Sequence, residues 1–205
     1  MPSTKPNANY QLLHSVMERL GYRWDSRPFA LNLLGLRDPD RKANTFNDWL
    51  LAGMDNGVEQ LYRAWPITTD PGVSTRLQPV NPKGTAILAP GQYQNAWCVG
   101  LHKGQYEALV QCSPVRVYRD NDRDSVLDMT PSSIDEGVFG INIHRSNPKS
   151  ESTLVDGWSA GCQVFKKAAD FDEFMVAVKL SASKGFHRFS YGLADLERVT
   201  ALLKA

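Results

Sequence analysis

The sequence lacks an excess of charge of either sign, and it lacks a long apolar run. Its 205 residues include 23 Lys and Arg against 22 Asp and Glu, so the formal net charge is +1. A balanced chain sets up no field that would recruit nucleic acid or an anionic membrane surface. No segment approaches the roughly 20 apolar residues that span a bilayer. We therefore expect neither a nucleic-acid partner nor membrane insertion.

The first residues do not resemble a signal peptide. Residues 1–7 are polar, and no apolar core of the signal-peptide kind follows them. The expectation is a protein that is made in the cytoplasm. Its length suits one compact domain, or one domain with an added cap, around a sizeable core.

Cysteine is scarce, with three in the chain. An odd count leaves at least one thiol free in any intramolecular pairing. Cys98 and Cys112 flank a predicted hairpin turn at 101–106, where they would face each other either as a disulfide or as two thiols. Thiols are favoured, because a chain without an export signal stays reduced. Cys162 is then the cysteine available for chemistry.

Metal-binding motifs are missing as well. His102, His144 and His187 are candidates to meet around zinc, but no His-Glu-x-x-His motif occurs and no cysteine pair has zinc-finger spacing. We expect no zinc site and no cofactor.

One acidic segment partly matches a calcium-binding loop. Its carboxylates stand at alternate positions and at one later position: Asp120, Asp122, Asp124 and Asp128. The match then fails, because Ser125 replaces the turn glycine of an EF-hand and Pro131 stands where the bidentate glutamate belongs. Two interpretations stay open, a calcium site and a solvated acidic loop, and the solvated loop is favoured.

The spacing of apolar residues predicts an α+β fold with mainly β content. An i, i+3, i+4, i+7 pattern predicts a helix over 9–20, with Gly21 at its C-cap. Short apolar or alternating runs between Gly and Pro turns predict strands over 48–53, 58–65, 85–89, 96–101, 106–111, 114–119 and 138–144. A helix over 170–180, a strand over 186–191 and a short helix over 193–203 follow. The chain therefore divides near residue 44, and 1–43 is predicted to be an N-terminal helical cap or extension.

His144 stands 18 positions before Cys162, and the two are candidates for a base and a thiol nucleophile. A cysteine is nucleophilic as its thiolate, which requires an imidazole or amide donors nearby. β-Branched residues at 141–143 place His144 at a strand end. Small residues at 159–161 predict a tight turn that exposes Cys162 and aims backbone N–H groups at an oxyanion. The alternative is a buried core thiol beside a hydrogen-bonded strand histidine.

This segment resembles the catalytic domain of the L,D-transpeptidases. That family carries a histidine on a strand, a similar gap, and Ser/Thr-His-Gly-Cys followed by a hydrophobic residue and Arg or Asn. Four residues match this motif: His144, Ser159, Gly161 and Cys162. Ala160 stands where the family has a second histidine, and Gln163-Val164 replaces the usual tail. The likeness extends loosely over 44–165. It implies an L,D-transpeptidase-like β-sandwich with peripheral helices, in which 44–205 is the catalytic domain.

The resemblance implies acyl transfer on peptidoglycan stem peptides through a cysteine thioester. Cys162 would attack the carbonyl, His144 would move the proton, and N–H groups at Gly161 and Cys162, in a turn shaped by Ser159, would bind the oxyanion. An amine or water would then resolve the acyl-enzyme. Ala160 and the missing export signal favour water, hence a carboxypeptidase or endopeptidase. A phage lysis enzyme, acting at the cell wall after release, fits this combination.

Four further residues are candidates for substrate binding: Arg145, Trp158, Asn142 and His102. Arg145 would clamp a substrate carboxylate or be a solvated strand-end charge. Trp158 would wall the cleft or fill the core. His102 would lie on the surface or over the site, and Asn142 is polar near the imidazole.

Two other functions stay open. One is a catalytically inert cell-wall-binding or virion structural protein of the same fold, and the other is a cysteine hydrolase acting on an ordinary peptide or amide. The sequence makes no prediction of oligomeric state.

Overall fold

The computed structural model describes residues 5–42 and 44–204. These residues form eleven strands: β1 (Asn32–Arg37), β2 (Asp48–Asp55), β3 (Gln60–Thr68), β4 (Thr85–Leu88), β5 (Gly91–His102), β6 (Tyr106–Gln111), β7 (Val115–Asp120), β8 (Asp135–Gly137), β9 (Ile143–Arg145), β10 (Gln163–Phe165) and β11 (Phe189–Asp195). They also form four α-helices: α1 (Tyr10–Arg19), α2 (Val73–Leu77), α3 (Ala168–Ser183) and α4 (Leu196–Lys204). The predicted mixed, mainly β class is confirmed.

Eight of the strands form one closed sheet. Their order is β1-β11-β5-β6-β9-β10-β3-β2, and β4, β7 and β8 form a separate three-stranded sheet. The β-rich class is thus realised as one closed sheet and one small sheet, and the finer expectation of an L,D-transpeptidase-like β-sandwich stays a prediction. Closure depends on β1, which pairs in parallel with β11 and antiparallel with β2.

β1 also changes the domain organisation that the sequence suggested. All six of its residues are buried, so it lacks the polar-apolar alternation that marks a half-exposed strand. The boundary predicted at residue 44 falls between β1 and β2, two paired strands of the same closed sheet. The segment predicted as a cap, 1–43, therefore supplies part of the barrel as well as a helix.

The helix predicted at the N-terminus is confirmed as α1. The Asn9 side chain caps its first turn by accepting a hydrogen bond from the Leu12 N–H at 2.9 Å. Its apolar stripe packs on the outside of β1 and β2, where Leu13 and Met17 meet Leu34 in a second core. No helix among the described residues has both the length and the apolar character needed to cross a bilayer.

The main core fills the closed sheet and supports the strands that carry the cysteine motif. Trp97 is fully buried, and its Nε1–H donates to the Ile141 carbonyl at 2.7 Å. Tyr191 crosses to the opposite wall and donates to the Gln163 side-chain oxygen at 2.8 Å. A side chain at Gly35 would overlap the Tyr191 hydroxyl, at 1.8 Å. Glycine at that position therefore makes room for the tyrosine that holds Gln163.

The strand predicted over 138–144 is shorter than expected. Only β9, at its end, pairs in the closed sheet. The Gln111 side-chain oxygen accepts hydrogen bonds from the Phe139 and Ile141 N–H groups at 3.0 and 2.9 Å. Those two amides are thus bound by a side chain and do not pair in a strand ladder.

All three cysteines are free thiols. Cys98 lies on β5, and Cys112 directly follows the neighbouring strand β6.

Candidate active site

The two predicted catalytic residues lie on one strand and at the start of its neighbour. β9 and β10 pair in parallel, with His144 opposite Val164, and the Gln163 N–H donates to the Asn142 carbonyl at 2.9 Å. Cys162 directly precedes β10. The connection over 146–162 loops out between the two strands. The His144 strand and the Cys162 turn are therefore side by side, as the motif required.

The turn before the cysteine is braced by its own side chains. Ser159 is fully buried; its hydroxyl accepts from the Gly161 N–H at 3.2 Å and donates to the Cys162 carbonyl at 2.9 Å. Gly161 has φ of +120°, and a Cβ there would lie 2.4 Å from the Ala86 carbonyl oxygen. The sequence Ser-Ala-Gly-Cys thus forms a turn in which glycine is required.

The hydrogen bonds within this turn leave fewer free N–H groups than the predicted oxyanion site required. The Gly161 N–H is occupied by the Ser159 hydroxyl, so it does not point freely at a substrate. The Cys162 N–H donates to no residue in the described part of the chain. Ala160, between Ser159 and Gly161, is exposed. One of the two predicted amide donors is therefore available.

The Cys162 thiol is neutral in this arrangement. Its sulfur accepts from the Asn142 N–H at 3.4 Å, and its S–H donates to the Gly140 carbonyl at 3.3 Å. Although the residue as a whole is partly exposed, the protein around the sulfur removes water from it. This burial raises the pKa of the thiol to about 11, against the opposing effects of the Asn142 amide and the Lys103 charge.

His144 is held in one tautomer. It is 2% exposed, and its Nδ1 lies 2.8 Å from the Arg145 carbonyl oxygen, which only accepts hydrogen bonds. The proton is therefore on Nδ1, and Nε2 carries a lone pair. Burial, together with the adjacent His102, lowers the pKa of His144 to about 3, so the ring is neutral. The backbone carbonyl thus holds the imidazole in one orientation, as a general base requires.

The hydrogen bond expected between the imidazole and the thiol is not formed. Nε2 of His144 is buried and has no hydrogen-bond partner among residues 5–42 and 44–204. The thiol donates instead to Gly140. In this arrangement the expected imidazole–thiol hydrogen bond is therefore replaced by one from the thiol to a backbone carbonyl.

His102 lies against His144 and away from the hairpin surface. Its ring stacks on that of His144 with centroids 3.9 Å apart and planes at 19°. The Asn142 side chain orients the His102 ring. Its amide oxygen accepts a hydrogen bond from the Gln111 N–H at 2.9 Å, so its NH₂ group faces His102 Nδ1 at 3.1 Å. His102 Nδ1 is thus an acceptor and its proton is on Nε2. Burial, and then the charges of Lys103 and Arg145, lower its pKa.

Tyr106 and Arg145 complete the polar surroundings. The Tyr106 hydroxyl lies 3.2 Å from the Arg145 carbonyl and 3.4 Å from His144 Nδ1. The Arg145 guanidinium stacks over the Tyr106 ring at 4.1 Å. Tyr106 and Gln111 were not predicted, because a strand pattern identifies neither a ring that meets a distant histidine nor an amide that binds a distant loop.

Trp158 lies apart from this cluster in a short helical turn, Asp156–Trp158, and is 40% exposed. That turn packs closely on the start of α2, since a side chain at Gly72 would overlap the Asp156 backbone. Asn44 fixes it through two hydrogen bonds with Asp156, at 2.6 and 2.9 Å. Trp158 is therefore presented to solvent by a firmly held loop and does not fill the core.

A cleft of about 460 Å³ reaches the cysteine turn at Ala160. Val80 and Val138 line it and are 88% and 59% exposed. Its other wall is Phe139, with the Arg119 guanidinium 4.4 Å above the ring. This surface provides apolar walls and one cation, and it meets the cysteine motif at Ala160, two residues before Cys162.

The acidic loop gathers three of its four carboxylates. Asp120, Asp122 and Asp128 place ligand atoms within 4.8 Å of one another. Asp124 is not part of this group and accepts a hydrogen bond from the Val126 N–H at 2.6 Å. Burial, followed by the neighbouring carboxylates, raises the pKa of Asp120 to about 6. Three carboxylates are fewer than the six to eight oxygen ligands that calcium takes.

The zinc alternative finds no support in the geometry. In the part of the chain that the structure describes, the aspartate group is the one set of three or more potential ligands at metal-binding distance. His102 and His144 are stacked, and His187 is not close enough to join them.

No family model, curated protein or solved structure matches this chain. The resemblance to the L,D-transpeptidase domain therefore rests on the residues of the cysteine motif, and function has to be argued from the site itself.

Proposed function

We propose that the chain acts on peptidoglycan stem peptides through a cysteine thioester, as an L,D-transpeptidase-like enzyme. One observation carries the proposal. The Arg145 carbonyl fixes His144 with a proton on Nδ1, and the buried Nε2 lone pair is left without a partner on the strand next to the cysteine turn. A general base needs such a lone pair, held in place by a second group.

The reaction starts from a neutral thiol and a neutral imidazole. As the sulfur attacks the peptide carbonyl, the S–H leaves the Gly140 oxygen and His144 Nε2 takes its proton. The C–N bond then breaks, and the protonated His144 gives the proton to the departing amine. Water attacks the thioester, passes a proton back through His144, and restores the thiol. The Cys162 N–H is the amide donor available to the tetrahedral oxyanion.

Substrate selectivity would follow from the cations near the histidines and from the cleft that ends at Ala160. Lys103 and Arg145 both influence the pKa of the histidines, so their charges lie close enough to attract a stem-peptide carboxylate. The cleft next to Ala160 has room for a short peptide along apolar walls. Water is favoured as the acceptor, which makes the enzyme a carboxypeptidase or endopeptidase. Action at the cell wall, as in a phage lysis enzyme, completes the proposal.

A specific observation favours a second candidate, an inert wall-binding or virion structural protein. The thiol has a raised pKa and is not hydrogen-bonded to the imidazole, and both features are typical of a buried structural cysteine.

Digestion of purified peptidoglycan, with mass analysis of the muropeptides, separates the two candidates. We expect the wild-type protein to shorten stem peptides or open cross-links, Cys162→Ser to leave the muropeptides unchanged, and Cys98→Ser, which alters another partly buried thiol, to behave as wild type. Unchanged muropeptides with wild-type protein, together with its retention on the wall, would establish the binding protein instead.

A further inference from the structure

A cavity with polar walls, separate from the cleft at Ala160, lies near the start of β5. His102 stands at the other end of that strand. The volume of the cavity is about 200 Å³, and it is enclosed by the segment that precedes β1, the first residues of β5 and the start of β11. None of the candidate catalytic residues lines it. It therefore calls for a separate explanation.

The cavity has an uncompensated positive charge. Three arginines and one carboxylate line it: Arg23, Arg27, Arg188 and Asp25. Arg27 is paired with Asp25, with its Nε–H 2.9 Å from the carboxylate. Arg188 donates to neutral groups, the Ser113 hydroxyl at 3.0 Å and the Asn95 carbonyl at 3.3 Å. Arg23 forms no ion pair within residues 5–42 and 44–204. Arg23 therefore has no carboxylate partner, and Arg188, which donates to these neutral groups through Nη1, keeps the N–H groups of Nε and Nη2 for an anion.

The walls of the cavity are fixed before any ligand arrives. The Gln92 side chain is bound to the Arg23 backbone in both directions, at 2.8 and 2.7 Å. Asn32 holds the Asp25 backbone in the same way, at 2.9 Å in each direction. Preformed walls lower the conformational cost of binding.

One buried polar group in the wall has no partner. The Ser181 hydroxyl, near the end of α3, is fully buried and makes no hydrogen bond within the described chain. Buried hydroxyls are almost always satisfied by protein or by a bound molecule. Because Ser181 lines the cavity, a molecule inside it is the available partner.

We propose that this cavity binds a small phosphate-bearing polyol, such as a glycerol phosphate unit. Guanidinium groups match phosphate oxygens geometrically, and Arg23 together with the remaining N–H donors of Arg188 suits the several oxygens of a phosphate better than the two of a carboxylate. The Ser181 and Ser190 hydroxyls, which line the cavity, suit the hydroxyl groups of the polyol. The volume is below the roughly 300–1,000 Å³ of pockets for drug-sized ligands, which limits the occupant to a small unit. This site is independent of the proposed peptidase function.

Isothermal titration calorimetry at low ionic strength, on the full chain, tests the proposal. The probes are sn-glycerol 3-phosphate, inorganic phosphate and N-acetylmuramic acid, whose charge is a carboxylate. We expect sn-glycerol 3-phosphate to bind most tightly. Arg23→Gln, which breaks no hydrogen bond of the described chain, should weaken it about tenfold or more, because a charge-assisted bond is lost. Ser181→Ala should weaken it less, and Lys149→Gln, an exposed cation elsewhere, should leave it unchanged.

Equal affinity for sn-glycerol 3-phosphate in wild-type protein and Arg23→Gln would overturn the site. Inorganic phosphate binding as tightly as sn-glycerol 3-phosphate would refute the polyol, and tighter binding of N-acetylmuramic acid would refute the phosphate. No detectable binding of any probe at millimolar concentration would refute the proposal entirely.

Discussion

At the scale of single residues, the site combines a neutral thiol with a neutral imidazole. Burial moves the two pKa values apart, up for Cys162 and down for His144, so the thiolate-imidazolium pair is disfavoured without substrate. Without substrate, the thiol S–H donates a hydrogen bond to the Gly140 carbonyl. In the proposed reaction, ionisation would therefore accompany attack on a bound substrate.

The pH dependence of alkylation tests this resting state. With the thiol pKa at about 11, we expect iodoacetamide to label Cys162 slowly at pH 7 and the rate to rise steadily beyond pH 9. Lys103 lowers that pKa, so Lys103→Gln should raise it and slow labelling at pH 9, whereas Lys149→Gln should not. Labelling followed by peptide mapping distinguishes Cys162 from Cys98 and Cys112. A rate that reaches its plateau below pH 8 would contradict the neutral thiol.

The glycine before the cysteine provides a second test at this scale. A methyl group at Gly161 meets the Ala86 carbonyl at 2.4 Å and requires φ of +120°, so Gly161→Ala should cost about 1–3 kcal/mol or more of stability and most of the activity. Gly157→Ala is the matched control in the same loop, since nothing lies within 4 Å of its added carbon. Urea unfolding measures both changes. Equal stability of the two variants would show that the turn tolerates a side chain.

At the scale of elements, the strands β9 and β10 are short, and side chains outside them hold the site in place. Gln111 at the end of β6 binds two N–H groups of 139–141 and two carbonyls, those of Ser113 and Gly137. This arrangement fixes the approach to Asn142, whose N–H binds the cysteine sulfur. A side chain that replaces a strand partner leaves no pattern in the sequence, which explains why 138–144 was predicted as one strand.

Removal of the Gln111 side-chain amide should loosen the site while the Cys162 side chain itself is left unchanged. Gln111→Ala leaves the buried Ile141 N–H and the part-buried Phe139 N–H unpaired, at a cost of about 1–3 kcal/mol for the buried one, and should lower activity through the shifted Asn142. Gln94→Ala, an exposed glutamine on β5, is the control. Hydrogen exchange of the Phe139 and Ile141 amides reports the effect directly. Unchanged protection of both amides in Gln111→Ala would refute this bracing role.

Some elements could be predicted from local patterns and others could not. α1 and α3 have apolar stripes, and β2 and β6 stand between clear turns, so periodicity located them. The His144 and Cys162 pair was found from residue types and spacing alone. His102 over His144, the Ser159 hydroxyl on Gly161 and the partnership of Tyr106 with Arg145 depend on contacts between distant segments. No local spacing encodes such contacts.

At the scale of the whole molecule, the closure of the sheet could not be predicted from the sequence. β1 is buried on both faces and joins β11 to β2, so residues 32–37 complete the barrel that holds the candidate site. Without β1, two strand edges and the apolar side chains beneath it would face solvent. The N-terminal segment and the cysteine motif therefore fold together.

A chain that begins at residue 44 tests this dependence. We expect it to lose cooperative thermal unfolding and the dispersed amide signals of a folded domain, because β11 and β2 would have no partner between them. A chain that begins at residue 9 retains both α1 and β1 and should fold normally. Native-like spectra and muropeptide release from the chain that begins at residue 44 would establish 44–205 as an autonomous domain.

The central claim is a covalent thioester at Cys162, and acid-quenched mass spectrometry of the enzyme with a stem-peptide substrate measures it most directly. We expect an acyl adduct on the peptide that contains Cys162, an adduct that accumulates in wild-type protein and is lost on treatment with hydroxylamine. His144→Ala should lack the adduct while Cys98→Ser keeps it. Turnover of the stem peptide by Cys162→Ser at the wild-type rate, or an adduct on Cys98 or Cys112 alone, would contradict the account.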